Sequence, residues 1–161
     1  CRPMSVAFVK EPNDDQVEVL PDRDLGTEPN LVTPRGLSLI DAEIAALNDR
    51  KEAARQADDK IAIANINRDL RYWNARRATA ELIRPRDTGG TAQFGSVVSI
   101  EREDGRTQQF TIVGIDEAAP SAGLISYLSP LARSLIGRTV GDVVRAGTAD
   151  AEIVAISEEA A

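Results

Sequence analysis

Residues Leu124–Val144 read LISYLSPLARSLIGRTVGDVV, and they decide what kind of fold the chain builds. Leu124 to Leu128 is apolar and rich in strand formers. Ser129 then offers a hydroxyl as an N-cap, with Pro130 at the first helical position, where its missing N–H costs nothing. Leu131, Leu135 and Ile136 recur at one-turn spacing, and Gly137 stands where a helix ends by passing into the left-handed region. Val140-Gly141-Asp142-Val143-Val144 is a glycine turn leading into another buried strand. A helix this short, closed at both ends and bracketed by strands, must lie across a sheet.

Upstream of this stretch the apolar period is two. Phe94–Glu101 and Thr107–Ile115 are predicted strands joined across Glu103-Asp104-Gly105-Arg106, where Asp-Gly is a favoured hairpin turn. A loop with Pro120 and Gly123 follows. Downstream, a strand at 143–145, a turn at Gly147 and a strand at 152–156 complete an α+β unit of about five strands and one short helix.

Further upstream the period changes to that of a helix. Thr33 caps and Pro34 opens a segment in which Leu37, Ile40, Ile44 and Leu47 alternate spacings of three and four. A second stripe runs through Ile63, Ile66, Leu70 and Trp73 to Ala80, with the stem of Arg77 filling one place. Two such stripes cover each other. Joined by the polar stretch Gln56–Lys60, they are predicted to make an antiparallel helical hairpin, or two-stranded coiled coil, of about six turns per arm. Ala-Asp-Asp-Lys at the bend holds neither glycine nor proline, so one continuous helix is the alternative. The predicted organisation is an acidic, flexible N-terminal arm at 1–30, the hairpin at 31–84, a linker at 85–93 and the sheet unit at 94–161. In the arm, Val17, Val19 and Leu20 could lay a short strand on another surface.

Composition bounds the function. The chain has 161 residues, 42% hydrophobic and 28% charged, the make-up of a soluble globular protein. No stretch approaches the ~20 apolar residues that cross a bilayer, so no membrane partner is expected. The single cysteine, Cys1, excludes an internal disulfide and fits a reducing, cytoplasmic compartment. Met4 is the expected translational start, Cys1-Arg2-Pro3 an upstream remnant, and Met4–Val9 is too short for a secretory signal. The absence of histidine rules out a His-based triad and His-ligated zinc or haem. A formal net charge of -7 argues against tight unaided binding to duplex DNA. The charge is uneven: residues 34–86 hold eleven basic against eight acidic side chains, whereas 1–33 hold three against seven and 87–161 five against eleven. A basic middle with acidic flanks suggests segments with different tasks, and a solvated helix face would account for the middle one equally well.

Several ordered motifs carry a family resemblance. Leu31 to Gly36, Phe94-Gly95-Ser96-Val97-Val98, Ile112 to Glu117, Ile125-Ser126, Ser129-Pro130-Leu131-Ala132-Arg133, Leu135-Ile136-Gly137 and Gly141-Asp142 together resemble the bacterial transcription elongation factors GreA and GreB, over roughly residues 31–157. The resemblance implies a coiled-coil finger followed by a domain of FKBP-like fold, an antiparallel sheet with one short helix. It also implies a partner, bacterial RNA polymerase, with the globular part on the rim of the secondary channel and the finger inside it. Family members stimulate the polymerase's own cleavage of backtracked RNA, so the expected role is that of an accessory factor rather than an enzyme.

The resemblance assigns partner docking to Ser129, Pro130, Leu131 and Arg133. The preceding Tyr127-Leu128, where the family often has Asn or Asp, makes that corner more apolar. The family's acidic tip motif, of the type Asp-Leu-x-Glu-Asn-Ala-Glu-Tyr, is absent, and the arms are several turns shorter. Asp58 and Asp59 are the acidic pair at the predicted bend. They are the candidates for holding a magnesium ion shared with the polymerase active site, since magnesium takes one or two carboxylates and keeps its waters; the other reading is a solvated turn. Arg68, Arg71, Arg76 and Arg77 are candidates for contact with nascent RNA or the channel wall, or for the solvated outside of the hairpin. Two outcomes follow for the finger, stimulated transcript cleavage or occupation of the channel without cleavage. A peptidyl-prolyl isomerase on the FKBP-like fold is the alternative from a different class; it requires an aromatic-lined pocket, for which the C-terminal half has Phe94, Phe110 and Tyr127.

Overall fold

In the computed structural model, residues 16–159 are described; the expectations for residues 1–15, including the start at Met4, lie outside them. Two long helices, α1 (Pro34–Gln56) and α2 (Lys60–Thr79), are joined by three residues. Both starts follow from local chemistry. The Thr33 hydroxyl accepts from the Gly36 N–H with Pro34 at the first position, and the Asp59 carboxylate accepts from the Ala62 N–H. The turn is made by Asp58 entering the left-handed region at φ 53, a conformation Asp tolerates better than most residues. Arg77 near the end of α2 pairs with Asp41 near the start of α1 at 2.7 Å, so the helices run antiparallel.

The buried faces differ in detail from the predicted stripes. Ile40, Leu47 and Ala54 of α1 meet Ile63, Ala64 and Leu70 of α2, while Ile44, Ile66 and Trp73 are half-buried. Arg76, not Arg77, takes the place on the inner face, because its charge meets a carboxylate of the sheet region. The base of the pair is closed by a parallel two-stranded ladder, β1 (Leu31–Val32) with β2 (Glu81–Leu82), which the sequence patterns do not announce.

The larger sheet contains β3 (Ser96–Arg102), β4 (Thr107–Val113), β5 (Leu124–Ser126), β6 (Val143–Ala146) and β7 (Ala149–Glu158), in the order β5-β4-β3-β7-β6. It is mixed rather than antiparallel. The β4–β5 connection, through a 3₁₀ turn at Pro120–Ala122, carries the chain back so that β5 runs parallel to β4. The short helix α3 (Pro130–Leu135) contacts β5 and β6 and puts Ala132 and Leu135, both fully buried, into a core with Val98, Ile100, Ile112 and Ile153. Leu131 packs at the edge of that core, and Ile136 turns outward instead of completing the face. The stretch read as a linker is fastened at its end: Ala92 is fully buried and exchanges backbone hydrogen bonds with Gly137 and Arg138.

Candidate partner-docking site

The sheet region grips the helix pair through three of the four residues that follow β4. Gly114 comes first. A Cβ there would lie 2.2 Å from the Leu31 carbonyl oxygen, so only glycine lets β1 pass this closely. Asp116 follows and turns to α2, where its carboxylate accepts from Arg76 Nε at 2.6 Å and from the Tyr72 hydroxyl at 2.5 Å. The Arg76 and Asp116 side chains are 4% and 9% exposed. Glu117 turns to α1, accepting from the Thr33 hydroxyl at 2.5 Å and from Arg35 Nε at 2.6 Å. Arg35 also pairs with Glu159 beside the end of β7.

Two adjacent acids thus hold one helix each. The clamp satisfies itself almost completely: Asn30, buried, accepts from Arg76 Nη2 and donates to the Arg76 carbonyl oxygen, both at 2.7 Å. Burial, reinforced by the hydrogen bond to Asp116, pushes the Tyr72 phenol up to about 12. The sequence motif Ile115-Asp116-Glu117 was legible as a family feature, but its partners stand 40 to 84 residues away, so its role as a clamp was not.

The corner assigned to docking lies on the sheet region. Ser129 caps α3 by accepting from the Ala132 N–H at 3.2 Å, which leaves Pro130 and Arg133 exposed. Arg133 makes no ion pair among the described residues. Ile136, Val140 and Val143, from 38% to 59% exposed, continue an apolar series beyond it. Tyr127 does not add to this surface as expected. Its hydroxyl donates to the Pro29 carbonyl oxygen at 2.5 Å, and its ring meets Phe94 edge-on at 5.7 Å, so it is turned toward the junction. A cleft of about 250 Å³ between the start of α1 and the entry to β3 has Phe94 as its single aromatic side chain, which is not the aromatic-lined pocket an FKBP-type isomerase requires.

At the far end of the helix pair, Asp58 and Asp59 stand at the tip but serve different partners. Asp59 is the N-cap of α2, and Asp58, 81% exposed, faces Lys60 Nζ at 3.5 Å. Among the described residues no three metal-ligating side chains gather. With one carboxylate committed to a helix cap and the other beside an ammonium, the pair is a poor donor set for magnesium.

The four arginines divide. Arg76 is buried in the clamp and cannot meet a partner, because its charge is spent on Asp116. Arg77 pairs with Asp41. Arg71 donates to Asp22 at 2.5 Å and to the Leu20 carbonyl oxygen at 2.7 Å, and Arg68 lies beside it. The contact to Asp22 comes from the segment read as a flexible arm. In residues 16–30 that segment is an extended strap laid on α2, without forming a strand.

A family model described as transcription elongation factor, GreA/GreB, C-term matches residues 87–158. Transcription elongation factor GreB of Haemophilus influenzae is 39% identical over 109 residues, covering 66% of this chain and 68% of its own. The GreB of Pseudomonas syringae is 35% identical over 109 residues, 67% of this chain and 69% of its own. Among solved structures, GreA factor homolog 1 of Thermus thermophilus is similar over 81% of this chain and 99% of its own at 20% identity, with a TM-score of 0.38. The GreA/GreB structure from Nitrosomonas europaea gives 0.40 at 20% identity, over 80% and 98%. Those two scores are too low to establish a shared arrangement of parts.

Proposed function

Since the chain belongs to the GreA/GreB family of transcription elongation factors, we propose that it binds bacterial RNA polymerase through the Ser129-Pro130 corner and directs the helix pair into the secondary channel. The observation that carries this reading is the Asp116–Glu117 clamp. A docking surface on the sheet region can aim a projecting helix pair only if the two parts are held at one angle. The buried Arg76–Asp116 pair, with the buried Glu117 carboxylate held by the partly exposed Arg35, is suited to fixing one geometry. Leu131 stays tucked against the core and positions the corner, while Pro130 and Arg133 supply the exposed contacts. The factor acts on the polymerase as an accessory protein.

At the tip the chemistry supports occupation of the channel without stimulated cleavage. RNA hydrolysis needs an ion that offsets phosphate charge and lowers the pKa of water, and Asp59 is engaged in capping α2. The exposure of Asp58 favours the second reading, cleavage assisted by one fingertip carboxylate. Backtracked elongation complexes incubated with magnesium and the chain separate the two. Binding to the polymerase with transcript cleavage unchanged is the expected result; acceleration lost on Asp58→Ala would establish the second reading, and no binding at all would overturn both.

A further inference from the structure

The strap covers one face of α2 with contacts that a partner could replace. Arg68, Arg71 and Tyr72 fall at three- and four-residue spacing and share that face. Asp22 and the Leu20 carbonyl oxygen take Arg71, the Arg23 side chain reaches Asp69 at 3.2 Å, and its guanidinium lies 3.9 Å from the Tyr72 ring centroid. Arg68 is left over. Its Nε is buried without a hydrogen-bond partner, the nearest carboxylate being Asp69 at 3.9 Å, beside a gap of about 390 Å³ between Glu18 and Leu20 of the strap and the first turns of α2.

The hold is uneven along the strap. Residues 21–29 are all exposed, the Asp22 side chain is 75% exposed and Val19 is 82% exposed, and ion pairs of this kind contribute little in water. Asn30, by contrast, is buried in the clamp and leads into β1. Four residues before Asn30 stands Gly26, at φ +72 with open space around it, a natural pivot.

Resting on the polymerase-binding reading above, we propose that residues 16–25 occupy in cis a surface of α2 that an extended acidic polypeptide segment of the polymerase takes when the finger is inserted. The occupant already seated there defines the chemistry. Arg71 holds a peptide carbonyl as well as a carboxylate, and Asp69 between the two arginines takes a cation. A polypeptide of mainly acidic sequence reproduces the paired carboxylate and peptide carbonyl at Arg71, whereas a phosphate backbone offers no peptide carbonyl. A competent state populated only when the strap leaves lowers apparent affinity by its occupancy.

The test uses the full chain. Asp22→Ala with Arg23→Ala releases the strap through two exposed positions, and Arg68→Ala with Arg71→Ala removes the surface. The release variant is expected to bind core polymerase roughly three- to tenfold more tightly than the unmodified chain, the range set by about two weak ion pairs. It is expected to bind poly-L-glutamate more tightly as well, with both gains abolished when the surface substitutions are added. Unchanged or weakened binding, a gain that survives loss of both arginines, or a gain for single-stranded RNA and not for polyglutamate would overturn the proposal. If no form binds polymerase, the functional reading fails, and the polyglutamate comparison still decides whether the strap competes for this surface.

Discussion

At the scale of single residues, Arg76 and Asp116 carry the most consequence. Truncating one member of a buried, hydrogen-bonded ion pair leaves the other charge stranded, so Arg76→Ala or Asp116→Ala should each cost about 3–5 kcal/mol, measured by urea unfolding. The double variant should cost less than the sum of the two singles. Gly114→Ala should be at least as damaging as Gly36→Ala. At Gly114 the new methyl meets backbone at 2.2 Å, whereas at Gly36 it meets the Glu117 carboxylate oxygen at 2.8 Å, which can shift. Tyr72 supplies a titration. Its pKa is raised in the fold above its unfolded value near 10, so its contribution to stability is present below about pH 10 and fades as pH rises through about 12. Absorbance at 295 nm should show this late step, and Tyr72→Phe should remove it. None of this was legible from periodicity. A helical stripe cannot tell Arg76 from Arg77 when the deciding carboxylate lies 40 residues downstream.

Among the elements, those governed by local chemistry were the most readable. Thr33-Pro34 and Ser129-Pro130 cap α1 and α3 as their side chains dictate, and the Asp104-Gly105 turn joins β3 to β4. What sequence could not convey was contact between distant segments. β1 and β2 are two residues each, too short to show a period, and the parallel placement of β5 depends on how a ten-residue connection folds back. The strap is illegible in sequence for a similar reason: its acids and prolines match a disordered tail, and only the proximity of Arg71 and Asp69 gives them partners. At the tip, Asp59→Ala should cost about 1 kcal/mol of stability as a lost N-cap while leaving polymerase affinity unchanged. Thermal unfolding paired with a binding titration checks both halves of that expectation.

For the whole molecule, the proposed division of labour is a docking corner on the sheet region, a charged clamp that fixes direction, and a helix pair with one face covered by the chain's own strap. The Ser129-Pro130 motif was legible as a family feature, the clamp only as unassigned residues, and the strap's contacts with α2 not at all. The docking claim underlies the rest and is tested most directly by titrating fluorescently labelled chain with bacterial core RNA polymerase, comparing the unmodified protein with Arg133→Glu. Arg133 is exposed and unpaired among the described residues, so the reversal should leave the unfolding free energy within about 0.5 kcal/mol of the parent. Saturable binding weakened roughly tenfold or more by Arg133→Glu, the scale of one interface contact worth 1.4 kcal/mol, is the result the account predicts. Absence of saturable binding, or identical affinity for the two proteins, would contradict it.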